Sequence, residues 1–81
     1  QNYPNPFNPN TMIQYSLKAR SSVNISVFKK KKKKVTDLVN EEQESGSYTV
    51  QFNGKGLASG IYMYKISTDG YSAVRKMTLL K

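Results

Sequence analysis

Cysteine and histidine are absent from this 81-residue chain, and acidic side chains are confined to Asp37, Glu41, Glu42, Glu44 and Asp69. Without cysteine there are no disulfides, no thiol nucleophile and no thiolate-bound metal. Without histidine as well, zinc and transition metals have no favoured ligand. Glu41, Glu42 and Glu44 lie close enough to suggest a hard cation, but their spacing fits no EF-hand loop and reads better as solvated loop charge. No hydroxyl has an evident base to take its proton. The phosphate-cradling G-x-x-x-x-G-K-[ST] signature is missing, and Gly54-Lys55-Gly56 reads as turn chemistry. No apolar run approaches the roughly 18 residues of a membrane span, and no charged-then-apolar leader is present. The expectation is a protein that is not an enzyme and takes no cofactor and no metal.

A chain of this length buries somewhat over ~60% of its unfolded surface, enough for one domain with a thin core. A closed catalytic cavity with its own supporting shell is not expected. What the chain does have is alternation. Ile13, Tyr15 and Leu17 alternate with polar neighbours, as do Val23, Ile25 and Val27, and then Tyr48, Val50 and Phe52. This period of two marks half-buried strands. Val35 to Val39 reads as a short strand with poor alternation. Ile61 to Ser67 is apolar on both faces, which suggests a central strand. A last strand runs from Tyr71 to Leu80, with Ala73, Met77 and Leu79 set against Val74, Thr78 and Leu80. Asp69-Gly70 predicts a two-residue type I′ hairpin, and Asn53-Gly54 a similar turn. Gly46 and Gly60 each precede a strand, where glycine eases a bend. No window carries a 3.6-residue apolar period, so no helix is expected. Strands every 8–12 residues predict an all-β sandwich, with residues 1–81 forming a single domain.

All three prolines fall in the first eleven residues, together with Tyr3, Phe7 and four asparagines. Proline fixes φ and pushes its predecessor toward extended backbone, so residues 1–11 predict an ordered strap anchored by Tyr3 and Phe7. Asn2-Tyr3-Pro4-Asn5-Pro6-Phe7-Asn8-Pro9 resembles the opening of the type A C-terminal sorting domain of the type IX secretion system, found in Bacteroidetes and relatives. Leu57-Ala58-Ser59-Gly60-Ile61-Tyr62-Met63-Tyr64 is similar to the family's Leu-x-x-Gly-x-Tyr-x-Tyr segment. Lys76-Met77-Thr78-Leu79-Leu80-Lys81 is similar to its terminal Lys-Met-x-Leu-Leu-Lys. The three blocks stand in the family's order and spacing from Asn2 to Lys81.

The resemblance implies an immunoglobulin-like antiparallel β-sandwich of about seven strands. It implies a non-catalytic module at the end of a secreted enzyme or adhesin, so the chain, which opens on the strap, is expected to be cut from a larger protein. It implies passage through the periplasm, then the cell surface or medium, with the type IX translocon and a cell-surface processing protease as partners. By matching motif, Lys76, Met77, Leu79, Leu80 and Lys81 are the candidate translocon-recognition residues. Asn5, Pro6, Asn8 and Pro9 would set the strap, and Gly60 and Tyr62 the adjoining strand.

Lys29, Lys30, Lys31, Lys32, Lys33 and Lys34 form an unbroken run, without which the formal charge falls from +8 to +2. Where the resembled family has a Val-Tyr-Asp-x-x-Gly turn, Lys29 replaces the aspartate and Lys32 the glycine, at unchanged length. Three readings stand for this polylysine turn: an introduced segment filling a turn, a solvated natural loop, or a polyanion contact. Short lysine runs attract polyanions through long-range charge. Only Phe28 is at hand as a stacking aromatic, which argues against specific nucleic-acid recognition. Tyr62 and Tyr64 are expected in the core. Two rival functions are a structural β-sandwich spacer or surface-fibre subunit, and a carbohydrate-binding accessory module of a secreted hydrolase. The latter needs two or three aromatics on one solvent face.

Overall fold

The computed structural model describes residues 2–3, 6–7, 9–31 and 33–80. Its elements are β1 (Asn2–Tyr3), β2 (Asn10–Leu17), β3 (Ser21–Lys29), β4 (Lys34–Gln43), β5 (Gly46–Asn53), β6 (Gly60–Thr68) and β7 (Tyr71–Leu79). Six are full strands; β1 is a two-residue segment. They form one sheet in the order β1-β2-β5 and another in the order β4-β3-β6-β7. All strand neighbours run antiparallel, and no helix occurs among the described residues.

Alternation is the reason these segments are strands. Successive side chains leave a strand on opposite faces, so a period-two apolar row becomes one buried face. In β3, Val23, Ile25 and Val27 are buried, and in β6 so are Tyr62, Tyr64 and Ile66. Register places these rows side by side: Ile25 opposite Ile66, and Val27 opposite Tyr64. Ile13 and Phe52 contribute from the three-stranded sheet, Met77 and Leu79 from β7, and Phe7 from the strap, giving one core shared by both sheets. β6 lies between β3 and β7, the interior place that its two-sided apolarity indicates.

The poor alternation near Val35 has a structural cause. β4 is longer than the expected span 35–39, and its pairing with β3 slips between Ile25 and Ser26 and again between Val27 and Phe28. Each slip leaves an extra residue on β4, Leu38 in one case and Val35 in the other. A bulge breaks the two-residue period, so Val35, Leu38 and Val39 all pack partly against the core despite their uneven spacing.

Both expected glycine turns need correcting in type, though not in place. Asp69-Gly70 does connect the paired residues Thr68 and Tyr71, but Gly70 is not among the glycines with positive φ, so no type I′ turn forms. Tertiary bonds hold the turn instead: the Asp69 N–H donates to Ser21 Oγ at 2.9 Å, and the Ser22 N–H donates to Asp69 Oδ2 at 3.3 Å. After β5, the positive φ belongs to Gly56 and not to Gly54. Gly54 sits in a tight space. A Cβ there would lie 3.1 Å from Leu79 Cδ2, 3.2 Å from the Pro9 carbonyl oxygen and 3.3 Å from Phe7 Cε2.

Candidate docking surface at the strap and terminal strand

The strap and the last strand, at opposite ends of the sequence, form one unit. Phe7 is buried to 1% exposure and sets its ring edge-on to Phe52 with centroids 5.8 Å apart. Its backbone bridges β7 in parallel: the Phe7 N–H donates to the Thr78 carbonyl and the Leu80 N–H donates to the Phe7 carbonyl, both at 2.9 Å. The Gly54 N–H donates to the Pro9 carbonyl at 2.8 Å, fixing the strap to the loop after β5. Pro6 is exposed and Pro9 half-buried. Asn5 and Asn8 lie outside the described residues, as do Lys32 and Lys81.

Alternation divides the terminal motif. Met77 and Leu79 are fully buried, whereas Lys76 and Leu80 face outward, Leu80 at 52% exposure. Gly60 opens β6 at φ +152°, a conformation that side-chain-bearing residues rarely adopt, and pairs with Leu79. Tyr62 is buried, and its hydroxyl donates to the Ala58 carbonyl at 2.6 Å, closing the loop that leads into β6. Tyr64 is buried with it, so neither tyrosine offers a solvent-facing platform.

The lysines lie at the same end of the four-stranded sheet. Lys29 ends β3, Lys30 and Lys31 form the turn, and Lys34 opens β4, with the Lys29 N–H donating to the Lys33 carbonyl at 2.8 Å. Every described lysine of the run is exposed. Lys34 Nζ pairs with Asp37 Oδ2 at 2.8 Å, and the Ser26 hydroxyl donates to Asp37 Oδ1 at 2.6 Å. One arrangement of these residues is not legible in the sequence. Register aligns Lys34, Phe28, Met63 and Lys76 in a single row across all four strands, an apolar centre with a lysine at each edge.

Lys34 first, then the Ser26 hydroxyl, holds the Asp37 carboxyl below its ordinary pKa. Because the folded value is depressed, the stabilisation is present above the unfolded value of about 3.9 and is lost as pH falls through the folded one. Asp37→Asn is therefore expected to flatten the acid limb of the stability profile below about pH 4 and to leave its slope near neutrality unchanged. Urea denaturation across that pH range checks this.

No three or more acidic side chains gather into a metal-holding group among the described residues, and no helix there is long and apolar enough to cross a membrane. Comparison with curated proteins and with solved structures gave no match. A family model described as "Secretion system C-terminal sorting domain" matches residues 1–79, which takes in the strap, the Gly60–Tyr64 block and most of the terminal motif. With that match covering nearly its whole length, the chain belongs to the family of C-terminal sorting domains that mark proteins for type IX secretion.

Proposed function

We propose that this domain sends a covalently attached upstream cargo through the outer-membrane type IX translocon, and that the translocon reads it as a folded immunoglobulin-like sandwich. The observation that carries this reading is the Phe7 bridge. It joins the strap to the terminal motif, so that Lys76 and Leu80 are presented outward only when the domain is folded. Two features support the immunoglobulin-like architecture. Strands β3, β6 and β7 form a three-strand core sheet, with β4 added at its edge in the way extra strands join the C-F-G sheet of such domains. Tyr62, near the start of β6, bonds back to Ala58 as a tyrosine corner does.

In this reading Met77 and Leu79 hold the end of β7 in place, and Lys76, Leu80 and Lys81 make the translocon contact. Gly60, Tyr62, Pro6 and Pro9 shape the frame, together with Asn5 and Asn8. The cargo passes through the periplasm, and a cell-surface protease removes the module upstream of the strap. The core position of Phe7, Phe52, Tyr62 and Tyr64 gives no support to a carbohydrate-binding platform.

Fusion to a periplasm-targeted reporter in a type IX-competent bacterium tests this. The parent domain is expected to carry the reporter out of the cell. A Lys76→Glu, Leu80→Ser variant changes only exposed side chains, each worth no more than about 0.5 kcal/mol of stability. It is expected to stay folded and to lose at least ~10-fold in export, equivalent to ~1.4 kcal/mol of recognition. A folded variant exported like the parent would show that these side chains are not read.

A further inference from the structure

Among the described residues, the strap closes one end of the opening between the two sheets. Near Leu79 the strap fills it through Phe7. Further along, β1 pairs with Met12 and Ile13 of β2. The edge of β7 from Tyr71 to Arg75 has no strand neighbour among the described residues. Between β2 and this edge lies a groove of about 700 Å³, within the size range of ligand sites.

Its walls are apolar, with Tyr15 and Leu17 on one side and Ile66 and Ala73 on the other. Tyr64 also lines it. Tyr64 is 1% exposed, and its hydroxyl is buried with no hydrogen-bond partner among the described residues. Burial raises the Tyr64 pKa, against the pull of Arg75, so the hydroxyl remains a neutral donor at physiological pH. Arg75 is the register partner of Tyr64 and breaks the inward row of β7 between Ala73 and Met77. An apolar residue there would extend the core; an exposed arginine instead sets a charge at the groove's rim. Neither Arg75 nor Lys18, also at the rim, makes an ion pair among the described residues. Arg20 is engaged with Glu42 and Glu44, and the Asp69 carboxylate accepts from the Ser22 N–H.

The groove thus combines a strand edge unpaired among the described residues, apolar walls and a net positive rim. An edge offers backbone groups to an incoming strand, and pockets beside it select alternate side chains. The strap already uses this edge at Leu79. We propose that the groove binds an extended peptide bearing a carboxylate side chain. The peptide adds to β7 along Tyr71–Arg75 and sets its carboxylate on the Arg75 guanidinium. The site is apart from the terminal motif, so its occupancy is measurable independently of export.

The test titrates the isotope-labelled domain with acetyl-Val-Thr-Glu-Val-Thr-amide, and separately with the same peptide carrying Gln for Glu, at physiological ionic strength. Amide shifts are expected to concentrate in Tyr71–Arg75 and Gln14–Leu17, with the Glu peptide at least ~5-fold tighter, about 1 kcal/mol. Arg75→Gln, an exposed change, should remove that preference. Equal affinity for the two peptides, shifts confined to the lysine turn, or no shifts at about 1 mM peptide would each overturn the proposal.

Discussion

Leu79→Ala is expected to destabilise the domain by about 2–5 kcal/mol, and Met77→Ala by a similar amount. Both side chains are fully buried in the shared core. The loss is large for an 81-residue chain, whose whole stability at 0.05–0.15 kcal/mol per residue is roughly 4–12 kcal/mol. The melting temperature should fall by at least ~10 °C, and the urea midpoint with it. Leu80→Ala, one residue on and 52% exposed, should change stability by no more than about 0.5 kcal/mol. This contrast separates folding from recognition within one motif. Loss of export in Leu79→Ala reports loss of the fold, whereas loss of export in a Leu80 variant reports a missing contact. A Leu79→Ala domain as stable as the parent would mean that the end of β7 is not part of the core.

The burial side of that division was legible in the sequence because it needs only the two-residue period, although motif matching alone groups Met77 and Leu79 with the recognition residues. Met77 and Leu79 fall in one row and Leu80 in the other wherever the strand is placed. The same logic gave β3 and β6 their buried rows. It failed where local pattern and distant pairing part company. The bulges in β4 depend on which β3 residues it meets, and nothing near Val35 specifies them. Asp69-Gly70 predicts a left-handed glycine from local preference, but Ser21 and Ser22, nearly 50 positions earlier, hold the turn another way. Likewise, the row of Lys34, Phe28, Met63 and Lys76 exists only through register between strands far apart in the chain. Arg75 interrupts the apolar row of β7, and only the lack of a neighbour to β7 among the described residues turns that irregularity into the rim of a groove. The three motif blocks were likewise legible one by one, and their mutual contact was not.

That contact makes Phe7 the residue with the greatest reach. Phe7→Ala is expected to cost about 3–5 kcal/mol, through lost burial and the cavity left beneath the strap. The edge-on pairing with Phe52 is part of that cost, at about 0.5–1.5 kcal/mol. Among the described residues the strap is otherwise held by two residues of β1 pairing and by the Gly54 N–H bond to the Pro9 carbonyl. Its release would remove the carbonyl that accepts from the Leu80 N–H and the N–H that donates to Thr78. The terminal motif should therefore loosen although none of its own residues is changed. Phe7→Leu keeps most of the apolar volume and should leave the domain folded, which makes the local effect readable. Hydrogen exchange at the Leu80 amide should accelerate, while that at Ile25 and Ile66, deep in the four-stranded sheet, stays slow. In the export assay, Phe7→Ala should fail despite an intact C-terminal sequence, because the chain end is no longer held against the sheet. Normal export by Phe7→Ala, together with unchanged Leu80 exchange in Phe7→Leu, would make the strap a dispensable leader and break the link between the two ends of the chain.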